Sequence, residues 1–104
     1  MLLGTHPHTT DFESTYGSVH NYYERLVFDQ IASVNSNIKD PNFVADVACV
    51  ALNHLPPRYV RHDVDMTFFL SRVELEEIYL KVAKAVEEAM SYVDSCNQKK
   101  ERQN

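Results

Sequence analysis

The stretch DPNFVADVACVALNHLPPRYV, residues 40–60, decides the fold. Asp40 is a preferred N-cap type and Pro41 suits the first helical position, so a helix starts here. From Phe43 to Leu52 only Asp46 and Cys49 interrupt the aliphatic residues. That pattern predicts a central helix, buried almost all round. It has to stop by Leu55, because Pro56 and Pro57 follow and a residue before proline avoids the α region.

Toward the N-terminus, Val19, Tyr22, Tyr23, Leu26, Val27, Ile31 and Val34 recur at spacings of three and four. This is the apolar stripe of an amphipathic helix, with Ser18 as its expected N-cap and the polar residues 33–37 as its end. Toward the C-terminus, Val60, Val64, Met66, Phe68 and Leu70 share one parity. That alternation predicts one strand, or two short strands bent at residues 62–65. A last helix opens on the capping box Ser71-x-x-Glu74 and carries Leu75, Ile78, Tyr79, Val82, Val86, Met90 and Val93 on one stripe. Residues 1–16 show no period and are expected to be a disordered lead. Residues 17–96 form one domain, and 97–104 a frayed polar tail. The expected fold is mostly α (α+β): three main helices with a short strand or hairpin between the second and third. Such a lone strand edge invites pairing with a second chain, which predicts an intertwined or edge-paired dimer.

Composition narrows the function. The chain has 104 residues, a net charge of −5 and two glycines, Gly4 and Gly17. Glycines so placed cannot build a phosphate-binding Walker loop or a GxGxxG fingerprint. The acidic balance, 15 Asp and Glu against 10 Lys and Arg, argues against nucleic acid as a partner. No run is long enough to span a membrane, and the N-terminus lacks the cationic start and apolar core of a signal peptide. Two cysteines without a CxxC motif fit a cytoplasmic protein. A core of about 80 residues is marginal, which again favours a homodimer.

Two polar groupings stand out. Asp46 and Asn53, seven residues apart, share a face of the central helix. Either Asp46 pairs with a cation such as Arg25 or Arg58 while Asn53 ends the helix, or this face lines a polar pocket. The turn from Asn53 to His62 holds Arg58, Arg61, His54 and His62 without an acid. Either the arginines pair with Asp63, Asp65 and helix acids, or they fork onto phosphate with Tyr59 as a stacking face. His62-Asp63 resembles the metal pair of HD phosphohydrolases, but the chain is too short for that ligand bundle. His54, His62, Asp63 and Asp65 are a weaker candidate metal set. Cys49 lies in an apolar run, which argues against a reactive thiol, and no serine has a recognisable base. The protein is therefore expected not to be an enzyme, and no metal or cofactor is expected.

The string ALNHLPPRYV, residues 51–60, preceded by Asp46, resembles the signature of the late competence development ComFB family. Residues 20–24, HNYYE, followed by Leu26-Val27, resemble that family's first-helix pattern. The likeness covers about residues 18–95. It implies a small, mostly helical homodimer with short strands beside the LPPxY turn. It also implies a receptor for cyclic di-GMP or a related cyclic dinucleotide, acting without catalysis. Carried over by position, the ligand-binding residues are Asn21, Glu24, Asp46, Asn53, Arg58 and Tyr59, to which the turn adds Arg61. Some members bind zinc through cysteines ahead of the Asp, but this chain has PNFVA at 41–45 instead. Where members often carry glycine after the strand, this chain has HDVDM at 62–66. The competing expectation is a structural or adaptor dimer that docks another protein without a small ligand. A downstream protein partner is implied on either view.

Overall fold

The computed structural model describes residues 17–34 and 40–103. In chain order these form β1 (His20–Asn21), α1 (Tyr23–Val34), α2 (Pro41–Asn53), β2 (Tyr59–Val60), α3 (Asp63–Phe69) and α4 (Arg72–Gln103). The fold is mostly α with a small two-stranded element, as the sequence predicts. The lead at residues 1–16 and the link at residues 35–39 lie outside the described residues.

The central helix begins as expected. Asp40 is extended, and its carboxylate accepts the Asn42 N–H at 2.9 Å, with Pro41 at the first position. It ends at Asn53, ahead of the two prolines. The last helix also starts on its capping box. Ser71 Oγ accepts from the Glu74 N–H at 3.1 Å, and Glu74 Oε1 accepts from the Ser71 N–H at 3.4 Å.

These two helices and α1 build the core. Val27 and Ile31 from α1 meet Val47, Ala48 and Ala51 from α2 and Val82, Ala85, Val86, Ala89 and Val93 from α4. Alanines on both facing stripes let α2 and α4 approach closely, and theirs is the most extensive helix pairing. No described helix is long and apolar enough to cross a membrane.

Four expectations are corrected. Helix α1 starts at Tyr23, not near Ser18, because residues 20–21 are strand. Its first N–H is held by Asn21 Oδ1 at 3.1 Å, so asparagine does the capping work assigned to serine. Helix α2 is buried on one face only: Val47, Ala48 and Ala51 are covered, while Ala45, Asp46 and Cys49 are exposed. Of the period-two run only Tyr59–Val60 is strand, and Asp63–Phe69 is helical. Asp63 and Asp65 occupy the first turn of α3, where the helix dipole favours carboxylates. Val64 and Phe68 are also four apart, so their shared parity serves a helix equally well. Finally, α4 continues through residues 97–103 where fraying was expected. That segment has no glycine or proline and is rich in good helix formers. At 32 residues α4 is about 48 Å long.

The strands pair antiparallel, His20 opposite Val60 and Asn21 opposite Tyr59. The sequence suggested a partner within residues 59–70 or in a second chain. Instead β2 pairs with the segment just before α1. The Tyr22 N–H donates to the Arg58 carbonyl at 2.7 Å and carries the ladder on toward the prolines.

Candidate functional site

The double proline fixes the backbone that enters β2, and Asn21 anchors it. Asn21 is buried, and its Oδ1 accepts two backbone N–H groups, Tyr23 and Arg58, each at 3.1 Å. One side-chain oxygen therefore ties the start of α1 to the proline turn. The turn presents three exposed side chains, Arg58, Tyr59 and Arg61. Among the described residues neither arginine forms an ion pair. The suggested pairing of these arginines with Asp63 and Asp65 is thus absent, and Asp63 is taken by another group.

That group is His20. Its Nε2 lies 2.6 Å from Asp63 Oδ1, and its Nδ1 lies 3.2 Å from the Ser18 carbonyl. Both partners are acceptors, so only the imidazolium, with two N–H donors, satisfies both. The hydrogen bond to Asp63 first, and then that to Ser18, raise the His20 pKa above its usual 6.5, against a smaller desolvation effect. Stability from this link is fully present below about pH 6.5 and is lost as pH rises through the raised native value. We expect the stability difference between wild type and His20→Gln to shrink steadily above that pH. Urea titrations from pH 5.5 to 8.5 read it, and a pH-independent difference contradicts it. Close by, burial pushes the Tyr22 phenol up, so it stays neutral.

The turn borders a cleft of about 360 Å³. Pro57, Arg58, Leu70, Glu77, Ile78 and Lys81 line it, together with Glu74, whose carboxylate serves the capping box. Glu77, Ile78 and Lys81 come from one face of α4, about twenty residues beyond the turn in sequence. Sequence reasoning missed Glu77 and Lys81. Both look like ordinary solvated positions on an amphipathic helix, and only the packing of α4 against the turn sets them beside Arg58.

The other predicted residues fall elsewhere. Glu24 is exposed in the first turn of α1. Asp46 is exposed on α2 and pairs with no described cation, so the partner that burial would have demanded is unnecessary. Asn53 lines a separate groove of about 480 Å³ between α2 and α4, with Val50, His54, Glu88 and Tyr92. His54 is the C-cap of α2, its Nδ1 donating to the Val50 carbonyl at 2.8 Å. The structure thus joins Asn21, Arg58 and Tyr59 around one turn and places Asn53 in a different groove. His54 and Asp63 are each engaged separately, and no group of three metal-ligating side chains forms among the described residues.

Four helices among the described residues, a two-stranded clip and a proline-stiffened, arginine-bearing turn define a small α+β protein whose candidate site is made by side chains. The family model described as late competence development protein ComFB matches residues 20–97, and the chain belongs to that family. No curated protein and no solved structure matches the chain.

Proposed function

We propose that this protein is a non-enzymatic, cytoplasmic signalling protein that binds a cyclic dinucleotide, cyclic di-GMP first, and works as a homodimer. The supporting observation is Arg58, which pairs with no described acid and lines a cleft, on a turn held by Asn21 and two prolines. A guanidinium held this way meets phosphate without first breaking an internal ion pair. Tyr59 and Arg61 beside it offer a stacking face and a second fork. The polar face of α2, with Asp46 and Asn53, lies outside the cleft that Arg58 lines. It enters the site only if the ligand or a second subunit reaches both.

The homodimer has its own support. Phe68 and Phe69 are 80% and 82% exposed, and Val73 and Leu80 are exposed nearby in sequence. A small domain gains by covering such side chains. The same surface favours a second reading, an adaptor that docks another protein without a ligand.

Calorimetry with cyclic di-GMP, linear pGpG and GTP separates the two. We expect saturable heat and a thermal shift with cyclic di-GMP that exceed those with the other two. No heat and no shift at high micromolar concentration with all three overturns the receptor and leaves the adaptor.

A further inference from the structure

We infer that Glu77 reads the base of the bound nucleotide and selects guanine over adenine. This rests on the cyclic dinucleotide reading and adds the residue that sets its specificity. The cleft is not a simple anion site. It carries two cations, Arg58 and Lys81, and a carboxylate, Glu77, that forms no ion pair with any described residue. Glu74, the other acid there, already accepts the Ser71 N–H.

A free carboxylate beside a phosphate-binding arginine is unfavourable for a ligand that is only anionic. It becomes favourable when the ligand also brings adjacent hydrogen-bond donors. Guanine does so: its N1–H and N2 amino group point the same way and match the two oxygens of a carboxylate. Adenine presents one amino donor beside the N1 acceptor, whose lone pair faces the carboxylate and repels it. Leu70, Ile78 and the Pro57 ring supply apolar surface for the base. The division of labour is then plain. Arg58 and Lys81 face phosphate, and Glu77 accepts from the guanine edge.

The test compares cyclic di-GMP with cyclic di-AMP on wild type, Glu77→Gln and Glu87→Gln, the last removing the same charge from an exposed site further along α4. We expect wild type and Glu87→Gln to prefer cyclic di-GMP by about tenfold or more, the scale of a good bidentate base contact. Glu77→Gln should bind cyclic di-GMP about tenfold more weakly, with cyclic di-AMP unchanged or tighter. A thermal melt confirms that the variant is folded. If wild type binds cyclic di-GMP and Glu77→Gln keeps the preference, the Glu77 role falls and the receptor stands. Equal gains for both ligands in Glu77→Gln also overturn it, showing Glu77 to be only a repulsive neighbour. If wild type binds neither ligand, the receptor reading itself fails and the Glu77 role with it.

Discussion

Asn21→Ala is expected to lower stability by about 3 kcal/mol, because it strands two backbone donors at once. Asn21 Oδ1 is the acceptor for both the Tyr23 and Arg58 N–H groups. Alanine cannot replace it. The Tyr23 N–H starts α1 in a buried setting, and an orphaned donor there costs about 1–3 kcal/mol. The Arg58 N–H is half-buried and adds a smaller loss. For a domain of this size the sum corresponds to a drop in melting temperature on the order of 15 °C. Asn21→Asp keeps an acceptor oxygen in place and should recover most of the loss. Urea and thermal melts of the two variants check this. An alanine variant as stable as wild type shows that water satisfies both donors, and that the clip does not hold the turn.

Arg58→Ala is expected to leave the fold intact and weaken cyclic di-GMP binding about a hundredfold, the cost of a charge-assisted fork to phosphate. The two effects separate because the backbone and side chain of Arg58 have different partners. Its N–H is held by Asn21 and its carbonyl by the Tyr22 N–H, and neither bond depends on the guanidinium. The side chain is exposed and pairs with no described acid. Arg58→Lys should fall between, since an ammonium keeps the charge but not the planar fork. Calorimetry on folded variants measures the loss. Unchanged affinity in Arg58→Ala removes the turn from the site, and unfolding shows that the arginine is a structural partner.

The pair of variants tests a single arrangement from two sides. Asn21 acts through the backbone and Arg58 through its side chain. Loss of Asn21 is therefore expected to disturb folding and binding together, while loss of Arg58 disturbs binding alone. The exposed faces of α3 and α4 bear on a different matter. Phe68, Phe69, Val73 and Leu80 lie on the surface of a single chain, and their apolar area fits the proposed homodimer better than an isolated monomer.

Much of the local structure was legible because it follows from neighbours in the chain. Asp40-Pro41 fixes a helix start through a side-chain acceptor and a preset φ, and Pro56-Pro57 fixes its end by steric exclusion. Ser71 and Glu74 satisfy each other's backbone donors three residues apart. The string at 51–60 was enough to point to the family. The boundaries of α1 and the state of residues 63–69 were not legible. His20–Asn21 becomes strand because a segment nearly forty residues away supplies its hydrogen bonds. Val64, Met66 and Phe68 fit both a strand and a helix by spacing, and the acids at 63 and 65 lie where a helix start favours them.

The sequence by itself determined the class of fold, the presence of three long helices, the caps of α2 and α4, and the stiff arginine-bearing turn. Each of these depends on φ preferences and on donors and acceptors within a few residues. Tertiary structure alone decided that one face of α2 stays open, leaving Asp46 without need of a partner. It also decided that Asp63 binds His20 rather than an arginine, and that Glu77 and Lys81 stand beside Arg58. The reason is physical: an exposed charge is indifferent to its place in the sequence. Its partner is set by which helix face the core turns toward it, and the core is assembled from residues far apart along the chain.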